Sequence, residues 1–537
     1  MRLVVFVHLA WLGIGAAACG GADGGGEPVD GSIAAPDGAP PIDAFTPRED
    51  ASTQGAASDL SMAMDARGPD ASDTGVDSGT FPPGELPAFP SAVGAAAFVE
   101  GFRGGRVLHV TTLDDDYENP PVGSYRWAIT REFPRIIVFD VSGVIELSGW
   151  IYLDNANSNV YVAGQTSPGG IMIRGYSHYL FNLTEFVWRY VKFYGDPDRV
   201  RAPNDPRGAR RPLMQFESPE GGIVDHCSFV FNENEAINFW GSNSIDAGST
   251  TLQRSIVGEG NTGVLMGGDE CSTRGGASSS IENLFVHIRH RTPNFTADVL
   301  GEAINNVVYN WRTRLSRVSC TAQVNFYGNY YKTGSASFPG APNRLNLVRD
   351  DDGADVYLDE RYWNYMDSVV ESDADERWQI FRAADSATNT ESSPQPEVSA
   401  WLRDTPVELP GRRPTITSSE EAYERVLADV GANRYLRPDG SVNVVRDAKD
   451  AQYVSDVRNR ENTNGRGSDY GNELGVFDFP TIERGERSRD HDTDGDGMPN
   501  AWERAQGLDE NTPDDDQHTL HTGYTNIEVF LSGVDRD

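Results

Sequence analysis

Cysteine is scarce in this chain, four in 537 residues, so no dense disulfide framework holds it together and a large apolar core must. Positive charge is the minority sign: Lys and Arg number 45 against 81 Asp and Glu, a formal net charge of −36. That balance excludes a general nucleic-acid partner, which needs a positive face to displace counterions. After the opening residues no apolar run is long enough to span a bilayer. Between Phe89 and Lys332 long stretches with a helical apolar period are missing too, which excludes a helical bundle for that part.

The N-terminus, "MRLVVFVHLAWLGIGAAACGG", has one Arg, a short apolar run and then small residues ending at a cysteine. This is an export signal, too short to be a spanning helix. It resembles a bacterial lipoprotein signal, which implies a lipid on Cys19; plain secretion is the alternative. Residues 20–85 are Gly, Ala, Asp, Pro and Ser with almost no aromatics, a composition that cannot bury enough surface to fold and reads as a disordered linker. Cys227, Cys271 and Cys320 remain. A Cys271 to Cys320 bridge and three buried thiols are both compatible with an exported chain.

From Phe89 to Lys332 the chain is a run of short β-rich pieces: "RIIVFDVSGVIEL", "NVYVAGQ", "FVWRYVKFYG", "GIVDHCSFVF", "TLQRSIVG", "SIENLFVHIRH", "AINNVVYNW" and "QVNFYGNYY". They recur about every 20 to 36 residues, separated by Gly, Asn, Ser and Asp. The spacing predicts a solenoid, in which stacked turns create the core that no turn has alone. Asn159, Asn283, Asn306 and Asn329 are expected at tight corners in left-handed backbone. An antiparallel sandwich is the competing architecture, but two-residue hairpin signals are scarce.

The same pieces resemble the pectate lyase family. "GSYRWAI", "IIVFDVSGVIEL", "VYVAGQTSPGG", "IVDHCSF", "NNVVYNW" and "NFYGNYYK" match its turns in unbroken order over about half the chain. The resemblance implies an all-β fold, a right-handed parallel β-helix, and a secreted polysaccharide lyase cleaving pectate or a related uronate polymer by β-elimination, with calcium as cofactor. The family's Arg-x-Pro motif corresponds to Arg291, Thr292 and Pro293 in "HIRHRTPNF", so Arg291 inherits the role of catalytic base. Positive charge there suits a polyanion, because masking a uronate carboxylate acidifies the neighbouring C–H. Read as a strand, the segment puts His287, Arg289 and Arg291 on one face, making His287 and Arg289 candidate substrate contacts. Arg199, Arg201, Arg210 and Arg211 form a second basic cluster on a Pro- and Gly-rich loop, suited to clamping successive carboxylates.

The chain departs from the family at the calcium site. "ARRPLMQFE" has no Asp where one is expected, and "NENEAINF" places Asn234 and Asn238 at the two following carboxylate positions, with Glu235 beside them. Asn234, Glu235 and Asn238 are therefore a weak candidate site, since few carboxylates mean low calcium affinity. The departure keeps a second function in play, a non-catalytic carbohydrate-binding β-helix protein on the cell surface. His226 in "DHCS" is expected in the core.

Beyond the repeats, "SSEEAYERVLADVGA" predicts a helix capped by Ser418 and Glu421, with Ala422, Val426 and Val430 on one face and Gly431 ending it. "DTDGDGMPNAWE" satisfies an EF-hand-like calcium loop, with Asp492, Asp494 and Asp496 as early ligands, Gly497 at the turn and Glu503 as the twelfth. The next half, "HTLHTGYTNIEVFLSG", resembles dockerin-like or thrombospondin type 3 repeats. It has His518, Leu520, Thr522 and Val529 at ligand positions, so it is degenerate, and Asp514 to Asp516 are candidate substitutes. The expected organisation is signal 1–19, linker 20–85, β-helix 86–345, C-terminal extension with small helices 346–488 and calcium repeat 489–537. The expected partner is an anionic polysaccharide, pectate or pectin-like, bound by a monomeric protein, with the membrane involved only through the lipid anchor. The expected location is the outer membrane or cell surface, or the medium.

Overall fold

The computed structural model describes residues 86–196, 212–242, 247–268, 273–312, 315–335, 337, 406–463 and 477–535, together with the strands Leu345–Arg349, Trp363–Glu371 and Phe381–Asp385. Cys19, Arg199, Arg201, Arg210, Arg211 and Cys271 lie outside the described residues.

Successive turns of chain stack in parallel, forming one sheet of 18 strands and one of nine. One such turn is Glu220–Asp225, Ser228–Val230 and Glu235–Gly241, and the next is Thr250–Gln253, Ile256–Gly258 and Thr262–Gly268. The parallel pairing of each strand with its counterpart one turn on makes the fold a parallel β-solenoid and rules out the sandwich. Partners one turn apart lie between 20 residues (Ile171 and Val191) and 40 residues (Gln323 and Trp363) apart along the chain, so that only the last step exceeds the spacing expected from sequence.

Inside, like residues stack in columns because the register keeps every turn in phase. Leu180, Phe216, Phe239, Met266, Phe295 and Val318 form one column. Phe216 and Phe239 stack there at 5.0 Å. All six are buried in the main apolar cluster.

One corner of the solenoid is built from residues in left-handed backbone: Tyr190, His226, Arg254, Glu282, Asn305 and Gly328, with φ between 47° and 57°. Three of the four corner asparagines do something different from the expectation. Asn159 is left-handed, at φ 60°. Asn283, Asn306 and Asn329 instead follow the left-handed residue and face inward. The amides of Ser255, Asn283 and Asn306 donate to the side-chain oxygens of Asn283, Asn306 and Asn329 at 2.8, 3.0 and 2.9 Å. The ladder satisfies buried amides that a sharp bend removes from the sheet.

The C-terminal parts line the outer wall. The helix Ser419–Asp429 starts at Ser418, whose hydroxyl accepts from the Glu421 amide at 3.2 Å, and Ala422, Val426 and Val430 are buried as expected. Lys192, inside the wall, meets Asp447 and Asp450 at 2.7 and 2.6 Å, tying down the helix Ala448–Asn459. Met498, Trp502, Ile527 and Phe530 share one apolar cluster with Phe102, Ile136, Val138 and Tyr161. The tail is thus part of the solenoid's wall. Cys320 is disulfide-bonded and Cys227 is free and buried, so of the two alternatives left open the one with three buried thiols is overturned.

Candidate functional site

The outward face of the nine-strand sheet carries one row of side chains at matched register: Tyr152, Tyr179, Gln215, Asn238, Leu265 and Asn294. Alternation sends their neighbours Phe216, Phe239 and Met266 into the core. Polar character is concentrated in the middle. Gln215 donates to Glu217 at 3.2 Å, Ser242 donates to the other oxygen of Glu217, and the buried Asn238 Oδ1 has no hydrogen-bond partner among the described residues.

Arg291 stands beside this row. Gly263 and Val264 donate to the carbonyls of His290 and Arg291, each at 2.8 Å, which hangs the segment on the strand Thr262–Gly268. A Cβ on Gly263 would fall 2.1 Å from the Arg291 carbonyl oxygen, so only glycine permits that approach. The Arg291 side chain is 24% exposed, and its guanidinium bonds the carboxylate of Glu235.

The segment from His287 to Pro293 is not a strand. His287 and Arg291 are left-handed, with φ of 55° and 68°, and the peptide before Pro293 is cis. Strand alternation therefore fails, and the three basic residues do not share a face. His287 is 1% exposed, with Nε2 2.9 Å from Asp456 and Nδ1 accepting from Asn310 at 2.7 Å. Its role as a substrate contact is withdrawn, because the bend turns it inward beneath the helix Ala448–Asn459. Arg289 is half-buried, as is Arg312 one turn later, whose amide donates to the Arg289 carbonyl at 3.2 Å. His226 is interior, as expected, stacked on Tyr190 at 4.7 Å. Burial opposes its charged form, but Asp225 at 2.9 Å and Asp429 at 3.6 Å outweigh burial and hold its pKa above 6.5.

The groove residues do not fit a calcium ion. Gln215, Asn234 and Asn238 carry amides, Glu235 is engaged by Arg291, and Glu217 by Gln215 and Ser242. Among the described residues, no three His, Cys, Asp or Glu side chains of the groove converge on a common point. The weak site proposed at Asn234, Glu235 and Asn238 is thus replaced by an ion pair to arginine and by neutral amides.

The tail is the opposite case. Carboxylate oxygens of Asp492, Asp494 and Asp496 lie within 4.8 Å of one another, and so do those of Asp496, Glu503 and Asp514. Asp492 accepts from the amides of Gly495 and Gly497, both at 2.8 Å, and Gly497 takes the φ of 89° that the sharp turn requires. Glu503 is 0% exposed, and among the described residues neither of its carboxylate oxygens has a hydrogen-bond partner. Desolvation first, then for Asp494 a side-chain hydrogen bond with Asp492, and repulsion among neighbouring carboxylates push Asp494 up to about 6, Asp496 to about 7 and Glu503 to about 8. Carboxylates converging in this number suit a hard, oxygen-binding cation such as calcium.

Two neighbours of the row were not legible beforehand: Gln215, and Glu235 as the partner of Arg291. Gln215 could have been found by aligning "MQFE" with "INFW".

No family model matches the chain. In sequence it is 29% identical over 452 residues to a probable pectate lyase C of Emericella nidulans, covering 84% of this chain and 93% of that protein. It is 28% identical over 458 residues to a probable pectate lyase C of Aspergillus fumigatus, covering 84% and 94%. Among solved structures, a thermostable pectate lyase aligns at a TM-score of 0.43 with 13% identity, over 65% of this chain and 98% of its own. The major cedar pollen allergen jun a 1 aligns at 0.41 with 16% identity, over 63% and 92%. Along most of its length, then, the chain is pectate lyase-like in sequence.

Proposed function

We propose that this chain is an exported polysaccharide lyase that cleaves pectate or a related uronate polymer by β-elimination. The observation that carries this is the similarity to probable pectate lyase C over 84% of the chain, with Arg291 beside the outward row of the nine-strand sheet. The chain's relatives are named for pectate, and a polyuronate running along that row would present one carboxylate after another to Arg291.

In the elimination the C5 proton leaves to a base, its electron pair forms the C4–C5 double bond, and the C4–O bond breaks with the electrons passing to the leaving oxygen. Arg291 is proposed as the catalytic side chain. At rest it donates to Glu235, and a guanidinium so engaged has no lone pair with which to take a proton. To act as the base Arg291 therefore has to leave the Glu235 carboxylate and give up one proton to solvent, so that the neutral guanidine takes the C5 proton. Arg289, and from segment 197–211 Arg199, Arg201, Arg210 and Arg211, are proposed to hold further carboxylates. The cofactor is calcium, with the tail residues Asp492, Asp494, Asp496 and Glu503 as its ligands. Export with a lipid on Cys19, or free secretion, brings such an enzyme to its polymer.

The test is ultraviolet absorbance of the unsaturated product from polygalacturonate and from methyl-esterified pectin, using the full chain in calcium buffer. Product from wild type, with Arg291→Ala reduced by about 10²- to 10⁴-fold, supports the lyase. Retention of polymer with no product from either substrate would instead establish the carbohydrate-binding protein.

A further inference from the structure

The two halves of the tail share one backbone design and differ in how their loops are held. In the first half, Asn500 accepts from the Thr493 amide at 2.8 Å and donates to the Asp490 carbonyl at 3.0 Å. In the second half, Asn526 accepts from the Thr519 amide at 3.1 Å and donates to the Asp514 carbonyl at 3.0 Å. Histidines hold the backbone of the second loop. His521 Nδ1 accepts from the amides of Gly523 and Tyr524 at 2.9 and 3.0 Å, and His518 donates to the Tyr524 carbonyl at 3.1 Å. Among the described residues nothing comparable reaches Glu503 in the first loop, whose buried carboxylate has no hydrogen-bond partner there.

The ninth position of the first loop, often used by calcium through a water, is Asn500, and its side chain is already committed. Asp514 lies where a substitute is needed. Its amide donates to Asp496 Oδ2 at 3.1 Å, Asn526 donates to its Oδ1 at 3.1 Å, and its carboxylate converges with those of Asp496 and Glu503. The first loop is also bolted to the solenoid. His109 bonds Asp140 at 2.9 Å and the Gly495 carbonyl at 3.3 Å. Beyond the loops, Arg103 meets Glu528 at 2.9 Å, and the fully buried Arg189 meets Asp535 at 2.6 Å.

We propose that one divalent cation of the calcium class is held jointly by Asp492, Asp494, Asp496 and Glu503 of the first loop and by Asp514 of the second half, and that this ion fastens the tail to the solenoid wall. The site then acts on the stability of the β-solenoid itself, whether or not the chain is a lyase.

The experiment is calorimetric titration of calcium chloride into chelator-stripped full-length protein, paired with thermal unfolding followed by the β-sheet circular dichroism signal. The expected results are a bound ion that Glu503→Gln removes, a dissociation constant raised about tenfold in Asp514→Asn, and a β-sheet transition raised by roughly 5 °C at saturating calcium. Asp514→Asn keeps its bulk and serves if Glu503→Gln does not fold. An unchanged dissociation constant in Asp514→Asn overturns the joint site. A β-sheet transition indifferent to calcium overturns the fastening.

Discussion

Arg291 has one carboxylate against it before any substrate arrives, and that neighbour decides what its variants do. Arg291→Lys keeps a charge but loses the two-pronged donor geometry, so turnover should fall by at least about tenfold while the fold is unchanged; steady-state rates and circular dichroism check both. Asn238 offers a second handle. It lies in register with Gln215, and Asn238→Asp would add the carboxylate that the groove lacks. The wild-type rate should not respond to calcium beyond what saturates the tail, whereas Asn238→Asp should gain a calcium-dependent component, read as rate against free calcium. The arginine was legible from its motif. Its ion pair was not, because Glu235 and Arg291 are separated by 56 residues and meet only when two turns stack.

Helices and corners are held by buried charge. Burial disfavours the Lys192 ammonium, but Asp447 and Asp450 outweigh it and raise its pKa. Lys192→Met leaves two carboxylates without their cation inside the wall, a loss expected to be about 3–5 kcal/mol and measurable by urea unfolding. The His226 pair with Asp225 and Asp429 has a pH signature. A raised pKa means that the histidine's contribution is complete below its ordinary value of 6.5 and disappears as pH climbs through the raised one. Thermal stability should therefore decline above pH 6.5, and His226→Gln should flatten that decline. The helix Ser419–Asp429 was legible from Ser418, its apolar stripe and Gly431, since caps and periodicity are local. The bend at His287 was not, because nothing in "HIRHRTPNF" announces two left-handed residues, and one such residue redirects every side chain after it.

Taken as a whole molecule, a chain of net charge −36 must admit a polyanion. Repulsion outside the groove is screened over about 8 Å at physiological ionic strength, so kcat/KM on polygalacturonate should rise from low salt to about 0.15 M. It should fall again once the arginines themselves are screened. A steady decline from the lowest salt would mean that attraction by the arginines governs the encounter.

The order of residues along the chain suffices to specify the solenoid, its turn spacing, the capped helix and the acidic loop of the tail. Each is written in residues a few positions apart, or in a repeat whose period is visible along one chain. Which of those residues meet is settled only on folding: Glu235 with Arg291, His287 with Asp456, Asp514 with Glu503, and the tail with the wall. Those contacts depend on how turns register against one another, and stacking in three dimensions sets that register where no local pattern can.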